Sequence, residues 1–218
     1  MMLLRLLKIA FFALVARPIV LVLIGLNVRN RARLPGFGPA IVAANHNSHL
    51  DTIVLMALFP LRLVHRVRPL AAADYFLDRG GLTWFVRNIL GIIPIERTQA
   101  AGALPARDVL AEAEAAMRRG DILIVFPEGT RGEPEQVAAF KSGVARLVER
   151  VPETVVTPVF MHGLGKVLPK GAWLPVPFFC DIFVGEPQHW PGDVRSFMQA
   201  LTRSFKSLQD EGHFPPWE

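Results

Sequence analysis

From Gly36 onward, short apolar runs alternate with stretches whose apolar residues recur every three or four positions. Ala40–Ala44, Leu70–Ala73, Gly91–Ile95, Ile122–Phe126, Val155–Phe160 and Phe179–Val184 are short, mostly aliphatic, and bounded by Gly, Pro or polar residues. Runs of this kind predict buried strands. Between them, Val109, Leu110, Ala113 and Met117 keep helical spacing up to Gly120, a residue suited to the turn that ends a helix. Phe140, Val144, Leu147 and Val148 form a second helical stripe, and Val194, Phe197, Met198, Leu201, Phe205 and Leu208 a third. This alternation predicts an α/β fold, a single mixed, largely parallel sheet with flanking helices. In such sheets ligands bind where strands end and helices begin.

The first 34 residues follow a different pattern. Their uncharged runs, Ile9–Ala16 and Pro18–Val28, are eight and eleven residues long, against the roughly 20 a helix needs to cross a bilayer. Reading through Arg17 gives the length, but sets a guanidinium near mid-bilayer beside a proline that lacks a backbone donor. A signal peptide fits the first half only, because no A-x-A site follows and a second apolar run does. The arm is therefore expected to be two short helices, with Pro18 opening the second, lying in one leaflet while Arg5, Lys8 and Arg17 reach the headgroups. A pair of ordinary core helices is the alternative. The expected division is residues 1–34 as membrane-interface helices and residues 35–218 as the catalytic α/β domain. Deletion of residues 1–28 is expected to release the chain from membranes.

Charge sharpens this picture. The net charge is +5, yet residues 1–34 hold six basic residues and no acid, so the body is nearly neutral. A nucleic-acid surface would spread or cluster Lys and Arg over the folded body, so nucleic acid is excluded as the expected partner. Basic residues set among Leu, Ile, Val and Phe suit an anionic membrane surface instead. Cys180 is the only cysteine, so no intrachain disulfide can form, and the expected location is the cytoplasmic face of a membrane, with a monotopic arm.

Four windows carry chemistry. Directly after the first domain strand comes Asn45-His46-Asn47-Ser48-His49-Leu50-Asp51. An imidazole followed five positions later by a carboxylate can pair with it across a helix start, which makes His46 a candidate general base. Ser48 and Asp51 also have capping-box spacing, so Asp51 can be a helix cap, and the two roles are compatible. His46 and His49 offer two metal ligands without an obvious third, and no metal is expected. In Phe126-Pro127-Glu128-Gly129-Thr130-Arg131, Gly129 permits a sharp turn and Arg131 a planar fork for phosphate. Gly91-Ile92-Ile93-Pro94-Ile95-Glu96-Arg97 ends a strand in a second guanidinium, and Phe140-Lys141-Ser142-Gly143 places an ammonium near a helix start. A solvated Arg or Lys is the plain alternative at each of these cations.

Taken together and in this order, N-H-N-S-H-L-D, G-I-I-P-I-E-R, F-P-E-G-T-R, F-K-S-G and Thr157-Pro158-Val159 resemble the successive blocks of the glycerolipid acyltransferase family, especially its lysophosphatidic acid acyltransferase branch. The resemblance runs from about Pro35 to Pro187. It implies His46 and Asp51 as the catalytic pair. It assigns Arg97 and, from the E-G-x-R block, Glu128, Gly129 and Arg131 to the acceptor's phosphate, and Pro158 to acyl-donor binding or site shape. Thr130, within that block, and Lys141, by its place near a helix start, join the expected acceptor side. It also implies a mixed α/β domain behind membrane-attached helices. The chain departs from the branch at Ala73, where a phosphate-facing lysine is common, and at Pro94, where an aromatic is frequent.

The implied reaction moves an acyl group from acyl-CoA or an acyl carrier protein to the free hydroxyl of a lysophospholipid, with no cofactor. The acceptor hydroxyl attacks directly, so no nucleophilic Ser or Cys is needed. A thioester or lipid hydrolase using the same histidine and a non-catalytic binder of anionic lipid are the competing readings. The chain has no G-x-S-x-G elbow.

Overall fold

The computed structural model describes residues 2–48, 50–73, 80–95, 108–130, 138–167 and 178–214. Seven strands, β1 (Ile24–Arg29), β2 (Ala40–Ala44), β3 (Val67–Ala72), β4 (Ile93–Ile95), β5 (Ile122–Val125), β6 (Val155–His162) and β7 (Phe178–Val184), form one sheet in the order β1-β7-β6-β2-β5-β3-β4. All neighbouring pairs are parallel except β6 and β7. The expected mixed, largely parallel sheet is therefore present. The central strand β2, Ala-Ile-Val-Ala-Ala, is buried at every position, as a strand covered on both faces must be.

Residue parity divides the core into two layers. Ala40, Val42 and Ala44 of β2, with Ile122 and Ile124 of β5, face the arm and helix α3 (Asp51–Leu58). Ile41, Ala43, Leu123 and Val125 face α6 (Ala111–Arg118), α7 (Gly143–Arg150) and α9 (Val194–Gly212). The three predicted helical stripes become these last three helices, while the short helices α4 (Leu61–Val64) and α8 (Leu164–Val167) precede β3 and follow β6. Gly120 follows α6 at φ +80°, a backbone that an L side chain adopts only with strain. Helix α9 starts where Asp193 Oδ1 accepts the Ser196 N–H at 2.8 Å, which holds the Asp193 carboxyl below its ordinary range.

The expected N-terminal helical arm is present, and it departs from expectation in three details. First, α1 (Met2–Phe11) runs through a π-turn at Phe12–Ala16 straight into α2 (Arg17–Leu23), giving one continuous helical path. The wider turn precedes Pro18, which has no N–H to offer the regular ladder. Second, Ile24–Arg29 is an edge strand of the sheet, paired in parallel with β7. Third, Lys8 and Arg17 do not reach outward. The Lys8 ammonium is buried and donates to Val67 O and Leu90 O, both at 2.8 Å. Arg17 donates to Ala57 O and Phe59 O, and Arg31 to Leu58 O, so the last carbonyls of α3 are satisfied by two arginines. Arg33 donates to Val184 O and pairs with Glu186, while Arg29 pairs with Glu211 at 3.7 Å. Arg5 alone of the six basic residues has no hydrogen bond or ion pair among the described residues.

Phe12, Ala16, Val20 and Ile24 bury one side of the arm in the core. The other side is open and apolar: Leu3, Leu6, Leu14, Leu21 and Val22 are exposed, Val22 by 80%. Leu82 and Trp84 of α5 (Gly80–Phe85) and Phe179, which lies over Gly25, are exposed as well. Among the described residues, no helix is long and apolar enough to cross a membrane.

Candidate active site

The carboxyl end of β2 delivers the first window into a tight turn before α3. Asn45 continues the ladder beyond the strand: its Oδ1 accepts the Met161 N–H at 2.7 Å and its Nδ2 donates to Met161 O at 2.8 Å. The side chain thus acts as one more peptide between β2 and β6. Asn47 Nδ2 donates to the same carbonyl at 2.9 Å. These contacts fix the backbone on both sides of His46.

His46 Nδ1 lies 2.9 Å from Asp51 Oδ2, and its ring stacks on Phe126 with centroids 4.1 Å apart and planes 17° from parallel. Asp51 is fully buried as the first residue of α3. Its Oδ2 also accepts the Asn47 N–H at 2.6 Å and the Ser48 N–H at 2.8 Å. One oxygen therefore serves the helix start and the imidazole together, while Oδ1 has no hydrogen-bond partner among the described residues. Burial pushes the Asp51 carboxyl up, and the donors from His46, Ser48 and Asn47 pull it down. A carboxylate at Nδ1 sets the tautomer with the proton on that nitrogen, leaving the Nε2 lone pair for chemistry.

Glu128 comes from the loop after β5 and is buried. Its Oε1 accepts the backbone N–H of His46 at 3.0 Å, and its Oε2 that of Ala138 at 3.3 Å. Both oxygens are thus turned into the protein. Burial raises the Glu128 carboxyl above its ordinary value, opposed by those two donors. Gly129 closes the turn at φ +71°, and a Cβ there would lie 2.9 Å from Lys141 Nζ. The Lys141 N–H donates to Pro127 O at 2.8 Å, which ties the fourth window to the second. Thr130 and Lys141 are both exposed.

Pro158 is placed differently. It sits within β6 opposite Ala43, buried and packed against Gly185, back from the sheet end that carries His46. Arg97, Arg131 and His49 lie outside the described residues. The fold brings together His46, Asp51, Glu128, Gly129, Thr130 and Lys141. Sequence reasoning had given no role to Asn45, Asn47 or Phe126. The two asparagines flanking His46 were visible in the motif, but their shared partner, Met161, lies more than a hundred positions away.

The Acyltransferase family profile matches residues 25–162, from the edge strand to the end of β6. The chain belongs to that family. Among curated relatives, a 1-acyl-sn-glycerol-3-phosphate acyltransferase of Pseudomonas aeruginosa is 27% identical over 156 residues, 71% of this chain and 56% of the relative. A human 1-acyl-sn-glycerol-3-phosphate acyltransferase alpha is 29% identical over 140 residues, covering 63% and 46%. A chloroplast member from Arabidopsis thaliana is 24% identical over 153 residues, covering 67% and 38%. The chain thus spans little more than half the length of these relatives at most. The crystal structure of the 1-acyl-sn-glycerophosphate acyltransferase PlsC from Thermotoga maritima superposes with a TM-score of 0.72, over 97% of this chain and 81% of that one, at 22% identity. The two chains share the fold. The residues that the family profile covers include every site residue named above.

Proposed function

We propose that this chain is a 1-acyl-sn-glycerol-3-phosphate O-acyltransferase that makes phosphatidic acid from a lysolipid and a thioester, either acyl-CoA or acyl carrier protein. One observation carries the reading: the 2.9 Å contact of His46 Nδ1 with buried Asp51, at the carboxyl end of a parallel strand in a chain of the Acyltransferase family. His46 Nε2 takes the acceptor's hydroxyl proton as its oxygen attacks the thioester carbonyl. The tetrahedral oxyanion collapses, the carbon–sulfur bond breaks, and the proton passes to the departing thiol. No metal or cofactor enters this scheme.

Lys141 stands beside the Gly129 turn as a cation for the acceptor's phosphate, with Arg97 and Arg131 assigned to the same task by the family resemblance. Pro158 serves site shape from within the sheet. The open apolar side of the arm, with Trp84 and Phe179, seats the chain on one leaflet of the cytoplasmic face, so that residues 1–34 act as the membrane-interface element and 35–218 as the catalytic unit. Ala73, immediately after β3, favours a second acceptor reading, another lysophospholipid or a lyso-aminolipid, since a phosphate-facing lysine is missing there.

The test is thiol release from a panel of acyl donors with and without lysophosphatidic acid and other lysolipids. Release that depends on lysolipid and falls at least ~100-fold in His46→Ala supports the transferase. Equal release without lysolipid means a hydrolase, and none from any pair means a lipid binder.

A further inference from the structure

Cations from three parts of the chain meet at the end of the sheet opposite His46. Strands β2, β3 and β5 are parallel, with Val67 beside Ile122, so their amino ends lie away from the turn that carries the imidazole. Helix α1 brings Arg5 and Lys8, the segment entering β3 brings His65, Arg66 and Arg68, and the end of α6 brings Arg119. The carboxylate paired with them among the described residues is Asp121, whose Oδ2 is 3.6 Å from Arg68 Nε and 3.8 Å from Arg119 Nη2. At those separations none of these atoms is hydrogen-bonded to another. Arg68 Nε, Asp121 Oδ2 and His65 Nδ1 are buried with no hydrogen-bond partner among the described residues.

Lys8 and Arg68 approach each other across Gly91. A Cβ at Gly91 would lie 2.9 Å from Lys8 Nζ and 3.2 Å from Arg68 Nη1, so the two nitrogens stand within the span of one phosphate group. Two carbonyls, Val67 O and Leu90 O, take two of the three ammonium hydrogens. Like charges this close, one of them buried, oppose folding, and two neutral carbonyls do not supply the counter-charge that would offset them. Lys8 is the buried member of the cluster, while Arg5, Arg66 and Arg119 are exposed. The exposed Met2, Leu3 and Leu6 lie on the same first turns of α1 as Arg5.

We propose that this cluster, with Lys8 and Arg68 on either side of Gly91, is a second anion site that takes a phosphate group, separate from the acceptor site at His46. The phosphate comes from an anionic lipid headgroup or from free phosphate. The lipid source rests on the membrane-seated reading of the arm, since only that seating brings headgroups to the base of the sheet.

The experiment uses the full chain and compares Arg68→Gln and the exposed Arg5→Gln with wild type. Each is mixed with phosphatidylcholine vesicles and with vesicles that also contain phosphatidylglycerol. A cation near an anionic surface contributes about a fivefold change in partitioning. The expected result is that Arg68→Gln binds phosphatidylcholine as wild type does but loses about fivefold or more of the gain from phosphatidylglycerol, with a smaller loss in Arg5→Gln. Inorganic phosphate is expected to raise the melting temperature of wild type but not of Arg68→Gln. That thermal shift without any change in vesicle binding supports the site and assigns it to free phosphate. Full retention of the phosphatidylglycerol gain together with no phosphate-dependent shift overturns the proposal. Failure of wild type to bind either vesicle defeats the membrane reading of the arm instead, and the phosphate shift then decides the anion site by itself.

Discussion

The Glu128 carboxylate holds the His46 backbone, its Oε1 accepting that residue's N–H at 3.0 Å while Oε2 accepts the Ala138 N–H at 3.3 Å. The loop after β5 thereby sets where the imidazole stands. Replacing Glu128 with Gln turns one acceptor into a donor that faces an N–H, and buried polar groups left unmatched cost about 1–3 kcal/mol. Glu128→Gln is expected to lower kcat by tenfold or more (on the order of 1.4 kcal/mol) with little change in the acceptor KM. Steady-state kinetics in both substrates check this. A rise in acceptor KM at constant kcat would mean that Glu128 meets the substrate directly.

Asp51 is expected to be as sensitive as His46 and more damaging to the fold. Its Oδ2 collects three donors, so Asp51→Asn removes charge from the imidazole and from the start of α3 at once. Activity should fall about 100-fold or more, and stability by about 1–3 kcal/mol. His46→Ala should lose comparable activity with a smaller loss of stability than Asp51→Asn, since the Asn47 and Ser48 N–H groups still donate to the Asp51 carboxylate, a contrast that urea unfolding measures.

Lys8 makes stability depend on pH. Burial, with Arg68 beside it, lowers the ammonium from 10.5 to about 7, while Asp121 opposes the shift. Between those values the unfolded chain holds a proton that the folded chain lacks, so this group's contribution rises with pH, by at most about 1.4 kcal/mol per unit. Below about pH 7 the slope from Lys8 vanishes, since both states are protonated. Lys8→Met should lack the rise above neutrality. Parallel unfolding curves for wild type and variant across that range would refute this.

Arg17 should matter for stability rather than for lipid. It caps the end of α3 through Ala57 O and Phe59 O, so Arg17→Ala is expected to cost about 1–3 kcal/mol and to leave partitioning onto neutral vesicles unchanged. Thermal unfolding and vesicle sedimentation separate the two effects.

Deleting residues 1–28 cannot serve as a clean test of membrane seating. It removes Phe12, Ala16, Val20 and Ile24 from the core and most of β1 from the sheet, so the truncated chain is expected to misfold. Serine at Leu14, Leu21 and Val22 removes apolar surface that is already exposed. The triple variant should keep its melting temperature and leave the membrane fraction. Retention in that fraction would show that these positions do not face lipid.

Six of the seven strands were legible because each is a short apolar run with its own boundaries. Strand β1 was not, since Ile24–Arg29 continues the same apolar run that forms α2, and periodicity cannot divide a run that is apolar throughout. The start of β3 was obscured by Arg68 and Pro69, which interrupt its apolar pattern. At the site, the five-residue spacing of His46 and Asp51 was readable because their contact is local. The grip of Glu128 on His46 spans 82 positions and depends on strands β2 and β5 lying side by side. The basic arm misled for a related reason: composition counts charges, but Arg17 and Arg31 find their partners among backbone carbonyls, which every residue type supplies.

Helix α3 is a stiff rod of eight residues, about 12 Å long, and both of its ends are held. At one end Arg17 and Arg31 grip its carbonyls; at the other Asp51 grips the imidazole. The position of α2 is therefore not an independent degree of freedom from the bearing of His46. A shift of α2 along its axis is passed, through α3 as a single lever, to the ring of His46.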